Sequence, residues 1–215
     1  MPPLSTIAAF FLIPLQLSQW LPVEIHGLPE IREAADQWLI KSDKTAGGYV
    51  YLLPKANRPT ETSMTALWKW KVSQFPNTRP SLPFDKKSDD YALRVGFLFH
   101  GPEKPLPLPT PFQKLLAEKN ETVTAVLLYN AVTAPLGKGL CGPSPYHERI
   151  VYCIQGATSD YSEVSRQPFA DLKIVAKESR PAGEHTELIG LWVFADSDDS
   201  SSWSEGSLRD LQIKP

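Results

Sequence analysis

Proline constrains this chain more than any other residue type: 21 prolines are spread over its 215 residues. Proline lacks a backbone donor and its ring clashes with the preceding turn, so a long uninterrupted helical bundle is excluded. Between the prolines lie short apolar runs. In Ala66 to Ser73 (ALWKWKVS), Trp68, Trp70 and Val72 point one way and Lys69, Lys71 and Ser73 the other. That period of two is a half-buried antiparallel strand. Asp89-Asp90 opens DDYALRVGFLFH, where Tyr91, Leu93, Val95, Phe97 and Phe99 share one face. Ala92, Arg94, Gly96, Leu98 and His100 form the other face, small and mixed, as in a central strand covered on both sides. Tyr49 to Leu53, Val123 to Val132, Arg149 to Gln155, Leu188 to Ala195 and Ser207 to Ile213 read as further strands. Gly47-Gly48 reads as a break before the first of these.

Helical signals are few. Pro29 to Ile40 carries Ile31, Ala34, Ala35, Trp38 and Leu39 at helical spacing, with Pro29 suited to the first position. Pro168 to Glu178 has a starting proline, an early Asp171 and a late Lys177, which favour a second helix. Gln113 to Lys119 suits one helical turn. Strands in series joined by Pro/Gly loops predict a mainly β chain, an antiparallel β-sandwich with one or two short helices. The expected organisation is residues 1–65 as an apolar segment, helix and strand, and 66–215 as the sandwich core, together one domain.

Composition narrows the function. Apolar types at 42% can build a sizeable core, and a net charge of −2 gives no positive field for nucleic acid or an anionic membrane. The apolar run Ile7 to Leu17 is too short to span a bilayer. It suits either the core of an export signal within residues 1–19 or a segment packed on the fold, although no basic residue precedes it. Cys141 and Cys153 either pair in an exported chain or stay free in a cytosolic one. Gly101 to Pro111 (GPEKPLPLPTP) suits a stiff surface loop or, as the alternative, a polyproline ligand for a partner.

No GxSxG, HExxH or Gly-rich phosphate loop occurs, and His26, His100, His147 and His185 stand far apart. The acidic turn Asp196-Ser197-Asp198-Asp199-Ser200 offers hard oxygen ligands, so Asp196, Asp198 and Asp199 form a candidate calcium site. The competing reading is a solvated turn whose aspartates cap backbone amides. Arg94 on a covered face requires a carboxylate partner, Asp90 or an aspartate of the acidic turn. Trp203, in the serine-rich turn, is the best placed tryptophan for an exposed sugar-stacking platform.

WKWKVS, DDYALRVGFLF, LLYNAV, ERIVYCIQ and FADSDDSSSWSEGSLRDLQI follow one another here in an order and spacing that resembles bacterial domain-of-unknown-function family 3047. Trp68 and Trp70 match its Trp-x-Trp strand. Asp89, Asp90, Tyr91, Arg94 and Val95 match its Asp-Asp-aromatic-x-x-Arg-Val strand, and Asp196, Ser197 and Asp198 match its late acidic turn. Arg166-Gln167 and Asp171 look like its Arg-Asn and its helical Asp. Here Asp199-Ser200 replaces the usual Asn-Thr, and the first sixty residues match poorly. The resemblance implies a jelly-roll-like sandwich, and members with export signals make a periplasmic or secreted location as acceptable as a cytoplasmic one. It implies no activity.

These features together favour a noncatalytic module that binds a carbohydrate or cell-envelope glycan, with no cofactor beyond the candidate calcium. Asp90, Arg94, Asp196, Asp198 and Trp203 are its candidate ligand-binding residues. The alternatives are a hydrolase using the aspartate cluster and a structural, partner-binding protein.

Overall fold

The computed structural model describes residues 11–60, 63–77, 84, 86, 89–133, 139–179, 187–200 and 202–214. The strands are β1 (Phe11–Leu12), β2 (Leu21–His26), β3 (Glu30–Ala34), β4 (Gln37–Asp43), β5 (Ala46–Leu52), β6 (Thr65–Gln74) and β7 (Arg94–His100). They continue with β8 (Ala125–Thr133), β9 (Cys141–Pro143), β10 (Ile150–Ala157), β11 (Ser162–Arg166), β12 (Glu187–Asp196) and β13 (Trp203–Lys214). Among the described residues there are also two α-helices, α1 (Thr110–Glu118) and α2 (Pro168–Ser179), and short 3-10 turns at Leu17–Gln19 and Lys55–Asn57.

The strands form two sheets, a jelly-roll-like β-sandwich. The six-stranded sheet runs β11-β6-β13-β4-β3, with β1 also on β13, and the seven-stranded sheet runs β2-β5-β12-β7-β8-β10-β9. Pairing is antiparallel except between β8 and β10. A parallel neighbour requires the chain to travel back along the strand. Within the connection between them, β9 is laid antiparallel on β10.

Alternation decides what each strand buries. Trp68, Trp70 and Val72 of β6 and Leu208 of β13 face Val95, Phe97 and Phe99 of β7 and Leu127 and Tyr129 of β8 in the inter-sheet core. Trp68 packs its ring 5.2 Å from Tyr129. Full burial of such side chains contributes about 1.5–3 kcal/mol each. The outer face of the seven-stranded sheet carries a second core, where Leu98, Val126, Ile154 and Trp192 meet Phe112 and Leu116 of α1. Leu106 and Leu108 of the proline-rich loop are buried in it, so this loop is packed against the sheet. β7 is therefore covered on both faces, as its residue pattern requires.

The expected helix over Pro29 to Ile40 is instead the hairpin β3–β4, paired from Glu30↔Lys41 to Ala34↔Gln37. The chain reverses at Ala35, whose φ is 55°. Trp38 and Ile40 go inside and Leu39 outside, a period of two that cross-strand pairing imposes over the helical preference of Glu and Ala. Gly47 and Gly48 do not break the chain but lie within β5. A Cβ on Gly48 would collide with the Val193 backbone of β12, so the close approach of the two strands requires glycine there.

Strands from the first 65 residues enter both sheets, β3 and β4 in one and β2 and β5 in the other. Of the candidate signal segment, residues 1–10 lie outside the described residues. The part beyond them packs on the fold: Ile13 is buried and Trp38 Nε1 donates to the Leu15 carbonyl. His185 also lies outside the described residues. No helix among the described residues is long and apolar enough to cross a membrane.

Candidate functional site

The charged residues gather where β7 begins and β12 ends. Arg94 and Phe194 are directly paired, which sets Asp196 just past Arg94 on the neighbouring strand. The Arg94 guanidinium carbon stands 4.6, 4.9 and 5.5 Å from the ring centres of Tyr91, Phe194 and Tyr152. Its Nη2 donates to Asp196 Oδ2 at 2.9 Å and to the Asp89 carbonyl, and lies 3.4 Å from Asp89 Oδ1. Its Nη1 donates to the Tyr152 hydroxyl at 3.3 Å. Burial opposes the guanidinium charge, but Asp89, Tyr152 and Asp196 outweigh it and hold Arg94 firmly protonated. Burial lifts the Tyr152 hydroxyl to about 12 against the pull of Arg94. Burial also pushes the Asp196 carboxyl well above the usual range, opposed by Arg94 and reinforced by Asp198 and Asp89.

Beyond β12 the chain turns through Ser197 to Ser200. Ser197 anchors the turn to the other sheet, its N–H donating to Thr45 O and its hydroxyl lying 2.9 Å from that of Ser42. Asp90 holds the turn from the β7 side: its Oδ1 accepts the Asp199 N–H and its Oδ2 the Ser200 N–H. Carboxylate oxygens of Asp90, Asp198 and Asp199 come within 4.8 Å of one another. Asp198 is partly open to solvent and has His26 Nδ1 3.6 Å away. Partial burial, then Asp198, Asp90 and Asp89, raise the Asp199 carboxyl. Trp203 follows on the outer face of the six-stranded sheet, 44% exposed, with Lys41 Nζ 5.6 Å from its ring centre.

The four candidates Asp90, Arg94, Asp196 and Asp198 therefore belong to one end of the sandwich, with roles redistributed. Asp196, with Asp89, is the partner of Arg94, while Asp90 serves the turn. The acids whose oxygens meet are Asp90, Asp198 and Asp199, because Asp196 Oδ2 is committed to Arg94. Trp203 stands beside this cluster in sequence but on the sheet face. Sequence reasoning missed His26, Tyr146 and Tyr152. The Tyr146 hydroxyl bonds Asp89, and burial followed by that carboxylate raises its pKa. Nothing local in the sequence marks these three, which arrive from β2 and from around β10.

A second charged cluster lies elsewhere between the sheets. Arg166 at the end of β11 places Nε 3.0 Å and Nη2 2.9 Å from Asp171 Oδ2, and the Tyr129 hydroxyl donates to the same oxygen at 2.6 Å. Cys141 and Cys153, opposed on β9 and β10, form a disulfide beside it, with Arg166 Nη2 3.8 Å from Cys141 Sγ.

The chain belongs to the family described as protein of unknown function (DUF3047), whose model matches residues 30–212. No curated protein is significantly similar to it. Among solved structures it is similar to a family 12 xyloglucanase from Bacillus licheniformis, at 8% identity and a TM-score of 0.44 over 96% of this chain and 99% of that one. The xyloglucanase domain of NopAA from Sinorhizobium fredii matches at 9% identity and 0.44, covering 97% and 98%. A structure titled "CBM4 structure and function" matches at 11% identity and 0.35, covering 93% and 96%. At these scores the likeness is one of general shape and transfers no residue role.

The expectation of a noncatalytic module is corrected. It stood in part on the absence of any catalytic motif in the sequence. The fold supplies what no single strand does: Asp90 from the approach to β7 meets Asp198 and Asp199 from the turn after β12.

Proposed function

We propose that this protein is a carbohydrate-associated β-sandwich of hydrolase type that acts on a glycan at the acidic turn. The observation that carries the reading is the convergence of Asp90, Asp198 and Asp199 at a partly open turn, four residues before an exposed tryptophan. Glycosidic hydrolysis uses two carboxyl groups, one to protonate the leaving oxygen and one as base or nucleophile. Asp198 and Asp199 are the solvent-reachable pair for those roles. Asp90 positions them through the turn's backbone amides, and Arg94 positions Asp196 beneath them. Trp203 offers an apolar ring against which the C–H face of a sugar stacks. The Cys141–Cys153 bridge supports an oxidising, extracytoplasmic setting for such a reaction.

The test is release of reducing ends from a panel of xyloglucan, mixed β-glucan, xylan and peptidoglycan. The wild type is expected to cleave at least one of these. Asp198→Asn is expected to lose turnover by a factor on the order of 10²–10⁴ with melting unchanged. Trp203→Ala should raise KM more than it lowers kcat. Absence of turnover on every glycan, or full turnover by Asp198→Asn, would overturn the reading.

A further inference from the structure

We infer that Asn120 is the acceptor of an N-linked glycan, transferred to it from a lipid-linked oligosaccharide diphosphate. Asn120-Glu121-Thr122 is the chain's only Asn-x-Ser/Thr triplet, and x is not proline. Glu118 adds an acidic residue two positions before the asparagine, which bacterial oligosaccharyltransferases select. In the transfer the Asn120 amide nitrogen attacks C1 of the first sugar. The bond from C1 to the lipid diphosphate breaks, the diphosphate leaves with the electron pair, and the amide gives up one proton.

The fold presents this residue. The triplet follows α1, and Glu118, Lys119 and Asn120 are all exposed. Asn120 turns the chain at a φ of 53°; its N–H donates to Ala117 O and that of Glu121 to Leu116 O. Asparagine tolerates this left-handed position, and glycine fills it at no steric cost. The helix cap therefore accounts for the Asn120 backbone, but not for its amide group or for Thr122. Among the described residues no hydrogen bond uses the Asn120 amide group or the Thr122 hydroxyl, although His100 Nδ1 lies 3.1 Å from the Thr122 carbonyl. The two side chains that define the acceptor triplet are thus the two that the fold leaves unused. Glu121, between them, is held by Arg58 Nη1 at 3.1 Å and Nη2 at 2.6 Å, with both side chains buried. That pair fixes the turn in the folded protein, so transfer precedes its closure, and the exposed Asn120 then carries the glycan outward. His100 ends β7 and Arg94 begins it, so the glycan stands roughly 20 Å along the strand from the acidic turn and leaves it open. The transfer belongs to an extracytoplasmic compartment, which the Cys141–Cys153 bridge also suits.

The test is the mass of the peptide containing Asn120, taken from full-length protein isolated from its own cells. That peptide is expected to carry one oligosaccharide, joined through nitrogen and released by an amidase that leaves aspartate in place of the asparagine. Thr122→Ala keeps the helix cap and should lose the glycan completely, whereas Thr122→Ser should retain it. Asn120→Gln should lose it as well. A bare Asn120 peptide in the native protein would overturn the inference, and so would a glycan that persists in Thr122→Ala. Turnover on the glycan panel enters neither outcome, so failure here and failure of the hydrolase reading are told apart.

Discussion

The two charged clusters of the sandwich differ in their balance of donors and acceptors. Around Asp171, every group meets a complement: Arg166 presents two nitrogens and Tyr129 a hydroxyl to one carboxylate oxygen. Around Arg94, acids outnumber cations among the described residues, and Oδ1 of Asp89 and Oδ1 of Asp196 are buried with no hydrogen-bond donor among them. A balanced cluster locks elements together, here β8, β11 and α2. An unbalanced one costs stability when nothing is bound, and such a cost persists where a ligand or a reaction uses it. The comparison separates Arg94 and its buried partners, which the fold needs, from Asp198 and Asp199, which the fold tolerates.

The largest expected effect is that of Arg94→Met. It leaves the buried carboxylates of Asp89 and Asp196 without their cation, and should cost about 3–5 kcal/mol in urea unfolding. A cost below about 1 kcal/mol would show that Arg94 is not the lock of the acidic end. Next comes the balanced cluster. Asp171→Asn is expected to cost about 1.5–3 kcal/mol, because the charge-assisted bonds from Arg166 and Tyr129 weaken together, and Tyr129→Phe about 1 kcal/mol. If these two losses proved additive rather than overlapping in the double variant, the network reading would fail.

The smallest effect is a pH dependence that belongs to neither cluster. Burial, then Arg149, lowers the His147 pKa below its ordinary 6.5, and His147 Nδ1 accepts the Arg149 N–H. The folded state thus binds fewer protons than the unfolded chain once pH falls below about 6.5, so stability declines on acidification through that range. His147→Asn, which keeps an acceptor, should flatten this part of the stability curve. An unchanged slope would assign it to another group.

Much of the fold was legible because alternation is a local signal. Trp68, Trp70 and Val72, and the two faces of the Arg94 strand, follow directly from a period of two. Arg94 announced a carboxylate partner because an unpaired buried charge is prohibitive. Residues 29–40 misled because Ile31, Trp38 and Leu39 also fit a helical face. Only pairing with β13, which lies over 160 residues downstream in sequence, makes them a hairpin. The role of Asp90 was hidden for the same reason: its partners are amides of Asp199 and Ser200, delivered by the turn after β12. Tyr129 gave no sign that it would complete the pair of Arg166 and Asp171. The cysteine pairing stayed open until β9 and β10 placed Cys141 opposite Cys153.

The most direct measurement is the urea unfolding of Asp198→Asn beside Asp171→Asn, both in chelator at neutral pH. The account predicts that Asp198→Asn stays within about 0.5 kcal/mol of the wild type or exceeds it, while Asp171→Asn falls by about 1.5–3 kcal/mol. Equal losses in the two variants would contradict it, because the acidic turn would then be as much a structural lock as the cluster it is contrasted with.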